Sequence, residues 1–214
     1  MKKVLSNTIV IFIVAVYSLS FVFFIASCQK AGDNRGWKPL FDGETLNGWH
    51  AVPGGKWEVM DGTIVGTSPV EEKRHGILLT DQRFKDFEIR LKFKALKGNS
   101  GLYFRVDQVE GDVSVNGFQA EIDEKNDIGG LYETGGRQWV VQPTPEQVAT
   151  YFKPQEWNQM VVSAIGPRIT VTVNGFKTAE ITDEEGRSEG LIGLQLHGGM
   201  GMHVIFKDIE IRIL

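Results

Sequence analysis

The chain has 214 residues, of which 42% are hydrophobic and 23% are charged. This composition fits a folded globular protein and excludes a disordered one. Its formal net charge of −4 argues against a nucleic-acid partner, because such partners require a basic patch. With Cys28 as the single cysteine, an intramolecular disulfide is also excluded.

The first 27 residues have the three parts of an export signal. Lys2 and Lys3 form a short basic start, a long apolar run follows, and residues 25–28 read Ile-Ala-Ser-Cys. Basic, apolar and small-residue regions in this order are typical of a signal peptide. The last four residues resemble a lipobox, whose cysteine is lipidated and becomes the mature N-terminus. An uncleaved membrane helix is the alternative, since the apolar run is nearly long enough to span a bilayer.

These features divide the chain into a signal peptide (1–27), a lipidated tether (28–36) and one folded domain (37–214). They predict an exported protein that is held at a membrane by a lipid on Cys28. Gln29 stands where an Asp would favour retention in the inner membrane of a Gram-negative cell. Its presence favours the outer membrane, with the domain facing the periplasm or the cell surface.

The domain begins with short strand patterns. Strands are predicted at residues 57–59 and 63–66, and residues 87–94 alternate apolar and charged side chains over eight positions. Such alternation is expected of a strand with one buried and one wet face. Two more strands follow at residues 101–106 and 117–123.

The stretch from Glu124 to Asn158 is predicted as a long, Gly-rich connection with one short helix at residues 145–150. Thr144 is the expected N-cap, Pro145 occupies the first helical position and Gln147 completes a capping box. Connections this long in a compact domain are often functional.

Strand patterns resume at residues 160–165 and continue to the end of the chain. Residues 169–173 and 176–181 flank Asn174-Gly175, a pair that suits a two-residue type I′ turn because both positions need positive φ. Further strands are predicted at residues 190–196 and 204–213. Many short strands separated by glycine-containing turns indicate an all-β sandwich or jelly roll.

Three of these strands carry polar side chains on the face opposite their apolar ones. Side chains alternate along a strand, so polar residues two apart share a face. If the strands lie side by side, they form the floor of an open cleft. The residues are Gln119, Glu121 and Asp123 on one strand, Tyr103 and Arg105 on another, and Gln195 and His197 on the third.

Simpler interpretations exist for these residues. Arg105 with Glu121 or Asp123 would also fit a surface ion pair, worth about 0–1 kcal/mol. A single histidine such as His197 is more often structural than catalytic. His75, in a predicted loop, is expected to border the cleft. A divalent metal held by His197 and the carboxylates is a further hypothesis, because these side chains are plausible ligands.

The aromatic residues suggest a sugar ligand. Tyr132 and Trp139 lie in the predicted long connection and are the candidates for stacking against a sugar ring. Trp49, Trp57 and Trp157 are predicted to lie in the core.

Several ordered motifs resemble the 3-keto-disaccharide hydrolase family. Residues 40–49, LFDGETLNGW, resemble the opening motif of that family. Matches follow in order along the chain: Trp57-Glu58-Val59 with Asp61-Gly62, Asp86-Phe87-Glu88, Asn99-Ser100-Gly101 with Phe104-Arg105, the strand at 117–123, Trp157-Asn158, Asn174-Gly175, residues 193–198, and residues 206–209. At 117–123 the polar order departs from the family pattern, since Gln precedes Glu here.

This resemblance implies a concanavalin A-like jelly roll that cleaves glucosides already oxidised at C3. The C3 ketone acidifies the C2 proton, a base removes that proton, and the glycosidic oxygen leaves C1. Water then adds back in some cases, giving net hydrolysis. Expected roles are a base (His197 or Glu121), an enolate stabiliser (Arg105 or a metal near it), leaving-group assistance (Asp123) and hydroxyl binding (Gln119, Gln195).

Two rival functions remain at this stage. One is a non-catalytic carbohydrate-binding module, because this fold also serves lectins. The other is a retaining β-glucanase, whose second carboxylate should lie four or five residues after Glu121. Lys125 and Asn126 occupy those positions, which disfavours the glucanase. The enzyme hypothesis also implies a sugar 3-dehydrogenase as a pathway partner.

Overall fold

The structure, a computed structural model, describes residues 36–214. These residues form fifteen strands and one short helix in two antiparallel sheets, which confirms the all-β sandwich prediction. Within this part of the chain, no helix is long and apolar enough to cross a bilayer. The predicted signal peptide, Cys28 and the tether up to residue 35 lie outside the described residues.

The first sheet has eight strands. Their order is β13 (Phe176–Thr182), β12 (Arg168–Val173), β11 (Asn158–Ile165), β6 (Phe87–Lys97), β15 (Met202–Ile213), β4 (Thr63–Ser68) and β3 (Lys56–Met60), and the short β1 (Lys38–Pro39) pairs with β15.

The second sheet has seven strands. Their order is β10 (Gln138–Val141), β9 (Leu131–Thr134), β8 (Val115–Asp123), β7 (Asn99–Gln108), β14 (Leu191–Leu196), β5 (Gly76–Thr80) and β2 (Trp49–Val52).

The core lies between the two sheets. On β6 the apolar residues Phe87, Ile89, Leu91 and Phe93 alternate with partly exposed charged ones and are fully buried. Leu102 and Phe104 of β7 face them from the seven-stranded sheet and belong to the same core cluster. Burying each large apolar side chain contributes about 1.5–3 kcal/mol, so this interleaved layer holds the sandwich together.

The predicted tight turn between β12 and β13 is confirmed. Asn174 and Gly175 have φ angles of 51° and 84°, and Val173 pairs with Phe176 directly across the turn. A type I′ turn needs positive φ at both positions, which Asn and Gly accept at little cost.

The region from Glu124 to Asn158 is more ordered than the sequence predicts. The prediction of one long irregular connection is wrong, because β9 and β10 form a hairpin that extends the seven-stranded sheet. These strands have only four residues each, too few for a clear alternation. The helix α1 (Pro145–Tyr151) is confirmed, with Thr144 and Gln147 forming the capping box.

The tryptophan predictions are partly confirmed. Trp49 is buried and Trp57 packs against the core. Trp157 is not a core residue: the ammonium groups of Lys94 and Lys207 contact its ring, 4.9 and 4.2 Å from the ring centroid. It immediately precedes the buried Asn158, so strand alternation turns it outward.

Candidate active site

A pocket of about 450 Å³ opens on the face of the seven-stranded sheet that points away from the core. The alternation of β7, β8 and β14 produces it, because Leu102, Ala120 and Leu194 point inward while their neighbours point outward. The predicted site residues that line it are His75, Tyr103, Gln119, Glu121, Asp123, Tyr132, Trp139, Gln195 and His197. Nine of the ten residues predicted to form the cleft therefore lie together.

The floor of the pocket is a chain of hydrogen bonds across four strands. Gln119 donates from Nε2 to Oε1 of Gln195 at 3.0 Å, and Gln195 donates from Nε2 to the hydroxyl of Tyr103 at 3.1 Å. The Tyr103 hydroxyl also lies 3.1 Å from that of Thr134. Burial raises the pKa of Tyr103, so its phenol remains protonated at neutral pH. Gln119, Gln195 and Tyr103 are buried and present fixed polar groups to a ligand.

Gly101 makes this arrangement possible. It lies on β7 directly opposite Glu121 of β8, and Gln119 crosses the space where a side chain would stand. A Cβ atom at Gly101 would be only 2.4 Å from Nε2 of Gln119. The absence of a side chain therefore lets Gln119 reach Gln195 across the intervening strand.

Glu121 is a buried carboxyl in this floor, with only 5% of its surface exposed. Burial raises its pKa to about 8, and the nearby carboxylates of Asp123 and Asp127 act in the same direction. A hydrogen bond from the side-chain amide of Asn99 partly opposes the shift. Glu121 is therefore mainly protonated at neutral pH, which suits a proton donor.

Asp123 lies at the end of β8 and has a different environment. Its Oδ1 accepts hydrogen bonds from the backbone N–H groups of Lys125 (2.7 Å) and Asn126 (3.0 Å), so it stabilises the turn after β8. Its Oδ2 lies 3.5 Å from the amide nitrogen of Asn99. One carboxylate oxygen thus supports the backbone while the side chain still lines the pocket.

His197 follows β14 and carries a defined tautomer. Its Nδ1 lies 2.7 Å from the carbonyl oxygen of Gly198. A carbonyl only accepts, so Nδ1 holds the proton and the neutral ring has its lone pair on Nε2. This leaves the imidazole able to accept a proton, as a general base must.

The remaining walls are aromatic and apolar. Tyr132 and Trp139 face each other across the β9–β10 hairpin, with ring centroids 5.3 Å apart in an edge-to-face arrangement. Trp139 is 36% exposed, which leaves part of its ring available at the rim of the pocket. Val113, in the connection between β7 and β8, lines another side.

Arg105 does not belong to the pocket, so its predicted place beside Tyr103 is wrong. Its φ is 50°, and the pairing of β7 with β8 shifts register between Phe104 and Asp107. A bulge of this kind breaks the two-residue alternation on which the prediction depends. The guanidinium instead donates to the carbonyl oxygens of Lys85, Gly166 and Arg187 and to the carboxylate of Asp86.

The structure adds four residues that sequence reasoning did not assign to the site: Asn99, Val113, Thr134 and Met200. The sequence does indicate a role for Asn99, since this residue opens the Asn-Ser-Gly motif and lies two residues before Gly101 on the same face of the strand. Thr134 follows Tyr132 by two residues, but the short β9 was not predicted. Val113 and Met200 lie in connections, where sequence periodicity gives no direction.

The divalent metal suggested by the sequence stays a prediction. Among residues 36–214, no group of three or more His, Cys, Asp or Glu side chains is arranged to hold a metal ion.

The fold and the pocket define a lectin-type jelly roll with a polar cavity on one sheet. Solved structures of this fold include a protein of unknown function with a galectin-like fold from Bacillus subtilis (TM-score 0.62, 13% identity, covering 82% of this chain and 94% of that one). Carbohydrate-binding module CBM66 from B. subtilis has a TM-score of 0.58 at 18% identity, covering 77% and 95%. A candidate glycosyl hydrolase from Parabacteroides distasonis has a TM-score of 0.60 at 22% identity, covering 84% and 94%. The concanavalin A-like jelly-roll prediction is confirmed.

Residues 36–212 match the model of the 3-keto-alpha-glucoside-1,2-lyase-like domain. The chain therefore belongs to this family, as its motifs predict. It is also 34% identical over 93 residues to a 3-keto-disaccharide hydrolase from Bacteroides thetaiotaomicron, a match covering 39% of this chain and 32% of that protein. The chain spans about a third of the length of this relative.

Proposed function

We propose that this protein cleaves the glycosidic bond of glucosides or disaccharides that carry a ketone at C3. Family membership and the name of the Bacteroides relative support this substrate class. The observation that carries the proposal is the pairing, in one pocket, of an imidazole whose Nδ1 is bonded to a carbonyl, which leaves Nε2 as the basic atom (His197), and a carboxyl group protonated at neutral pH (Glu121). Elimination next to a ketone needs such a base, and an alkoxide leaving group also needs such an acid.

The reaction begins at C2. The C3 ketone acidifies the C2 proton, which His197 accepts on Nε2, and the electrons of the C2–H bond form the enolate. The enolate then reforms the ketone as a C1–C2 double bond appears and the C1–O bond breaks. The departing oxygen takes the proton of Glu121, giving a free alcohol or sugar and an unsaturated keto sugar.

Hydration reverses these proton transfers. The carboxylate of Glu121 takes a proton from water as the oxygen adds to C1, and the imidazolium of His197 returns its proton to C2. Both groups regain their starting protonation states, and the net change is hydrolysis. One pocket with one acid and one base is therefore sufficient for elimination and for hydration.

The other pocket residues bind and orient the sugar. Gln119, Gln195 and Tyr103 are linked in one hydrogen-bonded chain, which fixes their donors and acceptors before a hydroxyl arrives. Such preorganisation lowers the entropy cost of binding. Trp139 offers an apolar ring surface at the rim, where the leaving group would exit.

The experiment compares matched glucosides with and without a C3 ketone, in both anomeric forms, using the full-length protein. We expect the leaving group to be released from the glucoside with the C3 ketone and not from the matched glucoside without it. Chelator treatment in parallel tests the predicted divalent metal. Glu121→Gln should slow release of methanol from the methyl glycoside more than release of 4-nitrophenol, because 4-nitrophenolate leaves without protonation. Equal losses for the two leaving groups would contradict the acid role of Glu121.

A non-catalytic sugar-binding module is the other outcome of this experiment. It would bind unmodified glucosides and release nothing from either substrate. If the enzyme function holds, its substrate must come from a reaction that oxidises the C3 hydroxyl of a glycoside, which is the chemistry of a sugar dehydrogenase.

A further inference from the structure

Strand register brings two histidines together at the edge of the pocket. Leu196 of β14 pairs with Gly76 of β5 in antiparallel fashion. His197 follows Leu196 and His75 precedes Gly76, so the two histidines lie opposite each other just past the end of the paired strands. Their rings contact each other with centroids 4.3 Å apart and planes inclined by 57°. Both side chains line the pocket.

The backbone around this pair is tightly packed. The N–H of Gly199 donates to the carbonyl of Glu72 at 2.6 Å, and a Cβ on Gly198 would lie 2.1 Å from the carbonyl oxygen of Lys73. The loops that carry the two histidines are thus in direct contact. This packing fixes the spacing of the two rings.

The two rings have opposite tautomers. His197 holds its proton on Nδ1, bonded to Gly198, and leaves Nε2 unprotonated. His75 has its Nδ1 buried without a hydrogen-bond partner among residues 36–214. A buried N–H without an acceptor is rarer and costlier than an unpaired lone pair, so this environment favours the tautomer with the proton on Nε2. Nε2 is not among the buried unpaired atoms, and the residue lines the pocket.

His75 is neutral at physiological pH. Burial lowers its pKa to about 4, and the neighbouring His197 acts in the same direction, while the backbone and the carboxylate of Asp112 oppose the shift. A neutral imidazole donates one hydrogen bond without protonating its partner. Such a ring is suited to polarising a carbonyl group.

The geometry points to His75 as the catalytic residue that donates a hydrogen bond from Nε2 to the C3 oxygen of the substrate while His197 removes the C2 proton. This role rests on the proposed function. It fills the position for which the sequence suggested Arg105, whose guanidinium lies outside the pocket.

The chemistry of the two rings matches two adjacent atoms of the substrate. The C2–H bond breaks and its proton passes to His197, while the electron pair moves into the C2–C3 bond and onto O3. The hydrogen bond from His75 stabilises the negative charge that develops on O3. His75 keeps its proton throughout, so it needs no reprotonation when the C1–O bond breaks.

The first test is kinetic. His75→Ala should lower kcat for a 3-keto glucoside by about 10²–10³-fold, the usual loss when a donor to a developing oxyanion is removed. Exchange of the C2 proton in D₂O, followed by mass spectrometry, should fall by the same factor. His75→Gln keeps an N–H donor and should retain part of both rates. His203→Ala, which removes a histidine outside the pocket, is the matched control and should behave as the wild type.

A second test does not depend on turnover. In a His197→Ala protein the bound substrate stays intact, and a ¹³C label at C3 reports its carbonyl stretch by infrared difference spectroscopy. We expect the stretch to lie at higher frequency after His75→Ala is added to this background, because the hydrogen bond is lost.

The outcomes separate the two proposals. If the wild type releases nothing from the keto substrate, the proposed function fails. If the wild type is active while His75→Ala keeps its rate and the carbonyl stretch does not move, the role of His75 is overturned and the proposed function stands. A loss of rate with an unmoved stretch would also overturn it, because His75 would then act through the fold.

Discussion

Asn99 donates a hydrogen bond from its side-chain amide to the carboxyl group of Glu121 on the neighbouring strand. The bond favours the charged form of Glu121, yet burial still raises the pKa to about 8. Glu121 is therefore an acid at neutral pH that already has a donor positioned for its carboxylate. A proton donor in catalysis needs both properties, because it must lose its proton and regain it in each cycle.

Glu121 should make the protein less stable as pH rises. Its ordinary pKa is 4.5 and its folded value is about 8. Between these pH values the unfolded state has lost a proton that the folded state keeps, so the free energy of unfolding falls as pH rises. His75, whose folded pKa is about 4, contributes in the opposite direction, but only below its ordinary pKa of 6.5. Between pH 6.5 and 8.5 the change in stability with pH therefore comes from Glu121 and not from His75.

Urea unfolding across that range measures the effect. We expect the free energy of unfolding to fall with pH in the wild type and to fall less in Glu121→Gln. Gln195→Leu removes a polar side chain from the same pocket but no carboxyl group, so it should keep the wild-type slope. An equal slope in Glu121→Gln would show that the folded carboxyl is not held protonated.

Arg105 should matter for stability rather than for chemistry. It is 1% exposed and donates to the carbonyls of Lys85, Gly166 and Arg187. Arg105→Ala should lower the free energy of unfolding by about 3–5 kcal/mol, because buried acceptors lose their donor.

A matched surface arginine provides the comparison. Arg83 pairs with Asp107 at the surface, so Arg83→Ala should cost at most about 1 kcal/mol. Chemical unfolding gives both values. A fall in kcat without a fall in stability for Arg105→Ala would return this residue to the active site.

The site could be predicted from the sequence as far as strand alternation holds. Gln119, Glu121 and Asp123 share a face because β8 is regular in that stretch, and the same rule places Gln195 beside them. The prediction for Arg105 is wrong because a bulge inserts one extra residue into β7 between Phe104 and Asp107. Asn99 was overlooked although it obeys the alternation. The contact of His75 with His197 depends on pairing between distant strands, which local patterns do not encode.

The predicted lipid anchor is tested in cells. In the full-length protein, Cys28→Ser should abolish incorporation of labelled palmitate and release the protein from the membrane fraction. Gln29→Asp keeps the lipid and should move the protein toward the inner membrane. Unchanged labelling of Cys28→Ser would contradict the lipobox interpretation of residues 25–28.

Trp139 should contribute to substrate binding at the rim of the pocket. Trp139→Ala should raise KM for a 3-keto disaccharide about tenfold, because apolar ring surface covered by the sugar contributes about 25 cal/mol per Å². Trp157 contacts Lys94 and Lys207 on the other sheet, so Trp157→Ala is the control and should leave KM unchanged. Equal KM values for the two variants would exclude stacking by Trp139.

Gly101→Ala should disturb the pocket through Gln119. The added methyl group would lie 2.4, 2.6 and 2.7 Å from Nε2, Cγ and Cδ of Gln119, so the whole buried side chain must change its conformation. The free energy of unfolding should fall by about 1–3 kcal/mol, as at other overpacked buried positions. The value of kcat/KM should fall about tenfold, because Gln119 then enters the space of the substrate.

A double-mutant cycle identifies the cause. If Gly101→Ala acts through Gln119, then adding it to Gln119→Ala should change kcat/KM little, because the clashing side chain is already gone. Additive losses in the double variant would mean that the methyl group itself blocks the substrate. In that case Gly101 lines the space that the sugar occupies, and Gln119 is only a neighbour of that space.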